Sequence, residues 1–368
     1  MGAPFTINTA TISTSENQEL PVTLMPSTRY QGSKRKVLPR LRAVLEGLKF
    51  STCLDAFGGT GAVSHLLREM GARVCYNDIL HSNCANASAL FSVGPVRLSE
   101  EDISGLFRVQ PDVQYLSHIQ ELYRGIYYTE AENRQLDVVV QNIQRLTPGQ
   151  GRNEAFYALF QSMLSKRPYN LFHRANLEMR TSDVPRSFGN KATWDRSFET
   201  HMKRFLGELR GYRSRQTALA PVCVRNGSAF ECDTTFDLVY IDPPYAKSSR
   251  SQESNYFNFY HFLDAMVRYD EIPSLIRLAE KHRPIYPPSK PWHPCADVPA
   301  AFRLLAERFS GSQIVVSYRD DGFPTIDEIV SILRERFRAV EVYDIAEYRY
   351  ALAARGTASR EVVVVGRP

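Results

Sequence analysis

The pattern of hydrophobic and polar positions is clearest near the N-terminal end of the chain. A short apolar run at residues 51–57 precedes a glycine-rich turn at 58–61, an amphipathic stretch at 62–70 with helical spacing, and a second apolar run at 72–76. A strand, glycine turn, helix and strand in this order are typical of doubly wound α/β folds. We therefore expect a parallel sheet with crossover helices to begin here.

The C-terminal half continues this pattern. Further apolar runs lie at residues 236–241, 313–318, 340–345 and 361–365, and the stretch 325–337 between them is amphipathic. Thr325 and Glu328 have the spacing of a capping box at the start of that helix. No long helical stretch separates the last two runs, which predicts a hairpin at one edge of the sheet.

Between these halves the pattern changes to helices and polar loops. We predict a loosely ordered lead-in over residues 1–27, an α/β domain formed by 28–95 and 216–368, and a mainly helical inserted lobe over 96–215. A chain of 368 residues with 43% hydrophobic residues is large enough to bury one large core and a smaller lobe.

Composition narrows the class of protein. The net charge of +5 is only mildly basic, but Lys and Arg are concentrated between residues 166 and 215. No apolar run reaches the roughly 18 residues of a membrane-spanning helix, and no signal peptide is evident, so we expect a cytoplasmic protein. The cysteines form no CxxC pair, which predicts reduced thiols rather than a metal site or disulfides. They are Cys53, Cys75, Cys84, Cys223, Cys232 and Cys295.

The sharpest motif is Asp242-Pro243-Pro244-Tyr245, directly after the apolar run that ends at residue 241. Two prolines make the chain leave the sheet as a stiff loop, at the strand end where open α/β sheets bind ligands. The Asp242 carboxylate and the Pro243 carbonyl, whose direction Pro244 helps to hold, can accept both protons of adenine's exocyclic amine. Tyr245 would then stack on the base. The alternative is a plain strand-end turn with a packed tyrosine.

A second motif, residues 55–61, places Asp55 before a glycine turn, where glycines let the backbone approach a ligand closely. Asp55 could accept a hydrogen bond from the ammonium of a methionine moiety. Asp78, at the end of the next strand, is placed to accept ribose hydroxyls. The spacing is not that of a dinucleotide fingerprint, and a plain turn and a solvated strand-end cap remain the alternatives.

A third motif, residues 29–34, is a glycine-containing loop that ends in Lys34. Lys34 could hold the carboxylate or the adenine of a cofactor, and Tyr30 could add a stacking face. Alone, this segment would be an ordinary basic loop.

Together the segments RYQGSK, DAFGGTG, YND, DPPY and VVSYRDDG, in this order, resemble the Dam-like adenine methyltransferases of the alpha group. The resemblance covers residues 28–366 and includes 164–174, which are similar to a segment in the insert of some members. It implies a seven-stranded Rossmann-like sheet with a reversed edge strand, S-adenosyl-L-methionine as methyl donor, and double-stranded DNA as substrate.

The family's motifs also imply site residues. Cofactor contacts fall on Tyr30, Lys34, Asp55, Phe57, Gly59, Asp78 and Asp242, and the catalytic residues are Asp242, Pro243, Pro244 and Tyr245. Many members have an acidic residue before the DPPY strand that contacts the cofactor's adenine. This chain reads Arg225-Asn-Gly-Ser-Ala-Phe230 there, so Asn226 or Ser228 must serve, or the contact is absent.

The basic part of the insert has the composition expected of a duplex-binding surface, with cations for phosphates and Arg or Asn for base edges. For any single residue, a solvated helical face is the alternative. The DNA-binding candidates are Lys166, Arg167, Arg174, Arg180, Arg186, Asn190, Lys191 and Trp194.

Other functions remain open from the sequence alone. Transfer to the exocyclic amine of cytosine uses the same geometry, and an RNA or protein amide could be the acceptor. A non-catalytic DNA-binding protein with a methyltransferase fold is a third alternative. We expect a monomer without a metal ion, acting alone or beside a restriction endonuclease.

Overall fold

A computed structural model describes residues 25–26, 30, 34–173, 175, 177–180, 191–216, 218–246, 256–287, 298–348 and 359–368. Within these ranges seven strands form one sheet. The strands are β1 (Thr52–Asp55), β2 (Arg73–Asp78), β3 (Cys223–Asn226), β4 (Leu238–Ile241), β5 (Gln313–Arg319), β6 (Ala339–Tyr348) and β7 (Ser359–Arg367).

The strand order is β3-β2-β1-β4-β5-β7-β6. The pairs among β3, β2, β1, β4 and β5 are parallel, and β7 runs antiparallel to both β5 and β6. This confirms the predicted seven-stranded α/β sheet and its C-terminal hairpin. The reversed strand β7 lies one place in from the edge, and β6 forms the edge itself.

Helices cover the sheet and form the insert. They are α1 (Leu38–Glu46), α2 (Ala62–Glu69), α3 (His81–Phe91), α4 (Glu100–Leu106), α5 (His118–Leu122), α6 (Glu130–Arg145), α7 (Gln150–Ser165), α8 (Lys191–Asp195), α9 (Phe198–Ser214), α10 (Tyr256–Val267), α11 (Ile272–Leu275), α12 (Val298–Arg308) and α13 (Ile326–Arg334). The predicted capping box is present at α13, where Thr325 and Glu328 bond each other's backbone N–H.

Two hydrophobic clusters lie on the two faces of the sheet. One joins helices α1 to α3 with the insert, through buried residues such as Leu41, Leu90 and Leu159. The other packs α12 and α13 on the opposite face, through residues such as Leu305 and Ile329. Because the central strands are covered on both sides, β4 is apolar and buried throughout, as is typical of parallel sheets.

Several details differ from the sequence-based predictions. Strand β3 was not predicted, because its four residues are exposed or half-buried and show no apolar run. Cys53, Cys84 and Cys232 are buried free thiols, whereas Cys223 is exposed. The lead-in lies outside the described residues apart from Met25 and Pro26, and so does Cys295. The domain boundaries stay a prediction.

Candidate active site

Three carboxylates follow neighbouring strands at one edge of the sheet. Asp55 ends β1 and Asp78 ends β2, while Asp242 comes directly after β4. The parallel register places Asp55 level with Tyr76 of β2 and Tyr240 of β4, so β4 ends one residue and β2 two residues beyond the end of β1. This edge is where open α/β sheets bind ligands.

The glycine loop between β1 and α2 lies against Tyr76. A Cβ on Gly58 would stand 2.1 Å from the Tyr76 ring, so no side chain fits there without displacing the ring. Gly59 has φ +50°, a conformation that L side chains rarely adopt. Its carbonyl accepts a hydrogen bond from the Tyr76 hydroxyl at 2.8 Å. The loop therefore brings bare backbone to the sheet edge.

Asp55 has one oxygen bonded and one without a partner. Oδ2 accepts a hydrogen bond from Ser64 Oγ at 2.6 Å, while Oδ1 is buried and has no partner among the described residues. Burial raises the pKa of Asp55 to about 7, although the Ser64 hydrogen bond opposes the rise. An ammonium group of a ligand would supply the missing donor and charge, so this carboxylate fits the methionine end of S-adenosyl-L-methionine.

The Asp78 carboxylate accepts more hydrogen bonds than that of Asp55. Its carboxylate accepts hydrogen bonds from the backbone N–H groups of Leu80 and Gly59 at 2.8 and 2.9 Å, and from Asn83 Nδ2 at 3.1 Å. A carboxylate offers about four acceptor positions. Asp78 therefore keeps room for about one further hydroxyl, whereas the sequence suggested both ribose hydroxyls. Burial raises its pKa, and these three donors lower it.

The remaining cofactor candidates are partly engaged within the protein. Tyr30 accepts a hydrogen bond from Asn86 at 2.7 Å and packs on Tyr260, with 4.7 Å between ring centroids. Asn226 donates to the carbonyl of Asp78 at 2.9 Å, and Ser228 caps the short helix at 229–231. Phe57 is half-buried against the second core cluster. The ring face of Tyr30 that the motif suggested for a ligand is thus shared with Tyr260.

The DPPY loop carries Asp242 into a hydrogen-bonded cluster with Lys34. Lys34 Nζ donates to Asp242 Oδ1 at 2.8 Å and also to the Tyr245 hydroxyl. The Tyr245 hydroxyl donates to the same Oδ1 at 2.8 Å. Lys34, expected on the cofactor, therefore lies beside the DPPY carboxylate. The two donors that reach this carboxylate from the described residues both use Oδ1.

The loop is fixed at both ends. Pro243, the second residue after β4, is buried, and Ala246 pairs with Phe323 in an antiparallel bridge, Phe323 N donating to Ala246 O at 2.7 Å. The Tyr245 ring meets Tyr318 edge to face at 5.0 Å. Pro244 is half-buried between these anchors.

Glu361, which begins the apolar run of β7, is a member of this cluster that the sequence did not single out. It is 3% exposed, its Oε1 lies 3.0 Å from Lys34 Nζ, and it accepts a hydrogen bond from Tyr245 at 2.9 Å. Ser317 Oγ donates to it at 2.6 Å. A lone glutamate in an otherwise apolar strand was the available signal, because a buried carboxylate needs partners.

The charges in this cluster perturb one another. Burial raises the pKa of Asp242, Lys34 lowers it, and the Glu361 charge raises it. Burial by itself would lower the pKa of Lys34, but the carboxylates of Asp242 and Glu361 raise it well above its usual value. Lys34 is therefore a protonated cation shared by two carboxylates.

Three of the predicted DNA contacts have side chains that lie inside the insert, and their role in DNA binding stays a prediction. Lys166 is 2% exposed and lies 2.9 Å from Glu132, with further bonds to the carbonyls of Trp194 and Arg196. Arg167 is also 2% exposed and donates to backbone carbonyls. Arg180 pairs with Glu132 through two bonds of 2.9 and 2.8 Å. These cations tie loops to helices instead of facing solvent.

The other DNA-binding candidates lie within or near the stretch 181–190 of the sequence. Lys191 is exposed at the start of α8, and Trp194 is half-buried with the Arg180 guanidinium 5.6 Å from its ring centroid. Arg174, Arg186 and Asn190 lie outside the described residues. Their role stays a prediction.

The described residues contain neither a membrane span nor a metal cluster. In those ranges no helix has the length and apolar character to cross a membrane. No group of three or more His, Cys, Asp or Glu side chains in the same part of the chain is arranged to hold a metal ion.

Comparison with known proteins identifies the family. A model of the D12 class N6 adenine-specific DNA methyltransferases matches residues 30–273. The chain is also 26% identical over 257 residues to Type II methyltransferase M2.HphI of Haemophilus parahaemolyticus, covering 66% of this chain and 71% of that protein. The match confirms the resemblance found in the motifs and favours adenine over cytosine. The chain therefore belongs to the D12 class of N6 adenine-specific DNA methyltransferases and is an enzyme that methylates the N6 amine of adenine in DNA.

Proposed function

We propose that this enzyme takes its methyl group from S-adenosyl-L-methionine and transfers it to the N6 amine of an adenine flipped out of a specific duplex sequence. One observation carries the proposal. Asp242 follows β4 with one oxygen held by Lys34 and Tyr245, and Asp55 follows β1 with a buried oxygen that lacks a partner among the described residues. One carboxylate suits an amine that must lose a proton, and the other suits a cation.

Asp242 and Pro243 are proposed to activate the amine. The lone pair of adenine's amine is delocalised into the ring, so the nitrogen is a poor nucleophile until acceptors draw its protons out of the plane. Because Lys34 and Tyr245 bind Oδ1 of Asp242, Oδ2 can accept a hydrogen bond from one N–H of the amine, and the Pro243 carbonyl can accept a hydrogen bond from the other. Pro244 stiffens the loop so that both acceptors keep their directions.

Tyr245 is proposed to stack on the flipped base, replacing part of the stacking that is lost outside the duplex. Its hydroxyl is held by Lys34 and Asp242. The ring must therefore keep or exchange these bonds as the base enters.

The cofactor site is proposed to consist of Asp55, Gly59, Asp78 and Asn226. S-adenosyl-L-methionine, when bound, supplies an electrophilic methyl group on a sulfonium sulfur. Asp55 Oδ1 would bind the ammonium group, and the remaining acceptor position of Asp78 would bind one ribose hydroxyl. The bare backbone at Gly59 leaves space for the ligand on the outer side of the loop.

DNA binding is proposed for the surface around α8. Lys191 is exposed there, and Arg174, Arg186 and Asn190 flank or belong to the segment just before it. Exposed cations of this kind neutralise phosphates and make affinity depend on salt.

The name of the relative supports a restriction-modification context. It is a Type II methyltransferase, and we propose that this enzyme likewise protects a site from a partner endonuclease. We propose a monomer because one active site serves one strand at a time. Sedimentation of the protein with and without a short duplex tests this, and a stable dimer in both samples would contradict it.

The proposed roles are separated by measuring binding and transfer on the same variants. Asp242→Ala should abolish transfer and keep cofactor affinity, while Asp55→Asn should weaken cofactor affinity. Asp327→Ala, on the exposed surface of α13, is the matched control and should do neither. Equal loss of binding and transfer in Asp242→Ala would overturn its assigned role.

A further inference from the structure

Glu361 brings a second buried carboxylate to the DPPY loop from the other end of the chain. The strand that carries it, β7, runs antiparallel to β5, and the register sets Glu361 opposite Arg319. The residue lies beyond the part of the chain that the family model matches, residues 30–273. Burying a carboxylate costs several kcal/mol unless it is paired, so its position calls for a physical reason.

The hydrogen atoms available in the cluster show how its charge is shared. Lys34 Nζ donates hydrogen bonds to Asp242 Oδ1 and the Tyr245 hydroxyl, and its charge also pairs with Glu361, whose Oε1 lies 3.0 Å away. Tyr245 has one hydrogen but lies within bonding distance of both carboxylates, at 2.8 and 2.9 Å. The hydroxyl of Ser317 adds a further donor to Glu361. Asp242 and Glu361 therefore compete for the same cation and the same phenol.

This competition matters for an acceptor carboxylate. A lysine cation in a full ion pair with a carboxylate lowers the pKa of that carboxylate, which then accepts a proton poorly. Sharing Lys34 with Glu361 weakens the ion pair and leaves more of the negative charge on Asp242 uncompensated. The Ser317 hydroxyl, which donates to Glu361, holds the competing carboxylate in place.

We propose that Glu361 is a positioning residue for methyl transfer, which draws Lys34 and Tyr245 toward β7 and thereby keeps Asp242 able to accept a proton from the target amine. The inference rests on the proposed role of Asp242. In the transfer, the bond from N6 to the methyl carbon forms, the bond from that carbon to sulfur breaks, and one proton leaves N6. Asp242 accepts this proton and passes it to water.

The proposal predicts a specific change in the pH profile. The charged or titratable groups around Asp242 are Lys34 from the N-terminal turn, Glu361 from β7, Tyr240 from β4, Tyr245 from its own loop, and Asp55 from β1. Glu361 raises the pKa of Asp242, so Glu361→Gln lowers it. Activity that needs the Asp242 carboxylate then sets in at lower pH, while the maximal rate falls because Lys34 pairs fully with Asp242.

The test measures kcat, KM for both substrates and the pH profile of kcat for Glu361→Gln and Glu361→Asp. Glu341→Gln is the matched control, since Glu341 forms a partly exposed ion pair with Arg367 on the same hairpin. We expect a roughly 10- to 100-fold lower kcat for Glu361→Gln with little change in KM, an acidic limb moved to lower pH, and partial recovery in Glu361→Asp. The control should match the wild type.

Other outcomes overturn the proposal. A wild-type kcat and pH profile in Glu361→Gln would do so, and so would a loss of rate that follows the folded fraction with an unmoved acidic limb. If Glu361→Gln fails to fold, Ser317→Ala decides, because a rate unchanged from wild type would contradict the positioning role.

Asp242→Ala is measured alongside. If it stays active, the proposed role of Asp242 is itself wrong. An inactive Asp242→Ala beside a fully active Glu361→Gln removes only the inference about Glu361.

Discussion

Asp55 bonds Ser64 through one carboxylate oxygen at 2.6 Å and buries the other without a partner in the described part of the chain. Ser64 lies on α2, immediately after the glycine loop. The pair therefore fixes the carboxylate against the helix and leaves its second oxygen for a ligand. This arrangement yields predictions for binding, stability and pH dependence.

Asp55→Asn should weaken S-adenosyl-L-methionine binding by roughly 10- to 100-fold, since a hydrogen bond to a charged group contributes about 1.5 to 3 kcal/mol. Calorimetric titration measures this affinity. An affinity equal to that of the wild type would place the ammonium group elsewhere.

The same residue should make stability depend on pH. The folded pKa of Asp55 is raised to about 7 from an ordinary value of 3.8, so its contribution is complete below pH 4 and is lost as pH rises through 7. Without cofactor, Asp55→Asn should be more stable than the wild type at pH 8, and the advantage should vanish at pH 4. Denaturant unfolding at both pH values measures the difference, and an equal advantage at both would contradict it.

The glycine loop should tolerate no side chain at Gly58. A Cβ there would meet the Tyr76 ring at 2.1 Å, so Gly58→Ala should lower stability and cofactor affinity together. Gly207→Ala in α9 is the control, because nothing lies within 4 Å of that Cβ, and it should raise stability by about 0.5 to 1 kcal/mol. Thermal melts with and without cofactor check both variants; unchanged cofactor affinity in Gly58→Ala would argue against the loop's role.

Lys166 and Lys191 were both predicted from the sequence to contact DNA, but Lys166 is buried and Lys191 is exposed. Lys166→Met removes one of the two cations paired with Glu132 and should cost about 1.5 to 3 kcal/mol of stability, without changing the salt dependence of DNA binding by the folded protein. Lys191→Met should leave stability unchanged and lower the slope of log affinity against log salt by about 1. Fluorescence anisotropy at several salt concentrations measures the slopes, and the reverse pattern would restore Lys166 as a phosphate contact.

Local spacing makes part of the site predictable from the sequence. The DPPY segment and the glycine turn each follow an apolar run, so the order of residues alone places Asp55, Asp78 and Asp242 at strand ends. Six of the seven strands and the C-terminal hairpin follow from apolar runs, whereas the count of seven came from the family resemblance; both are confirmed.

Contacts between distant parts of the chain could not be predicted in this way. The motif around Lys34 suggested a cofactor contact. Glu361 comes within 3.0 Å of Lys34 only because β7 pairs with β5 in the folded sheet. Composition likewise marked the insert as basic, but it does not distinguish an exposed lysine from Lys166, whose charge is neutralised by Glu132 of helix α6 at 2.9 Å.

Methylation of N6 of adenine in duplex DNA, with S-adenosyl-L-methionine as donor, can be measured directly on the product. The most direct measurement incubates the purified protein with labelled S-adenosyl-L-methionine and unmethylated plasmid, digests the DNA, and identifies the methylated nucleoside by mass spectrometry. We expect labelled N6-methyladenine with the wild type and none with Asp242→Ala. Label in N4-methylcytosine, or DNA that carries no label, would contradict it.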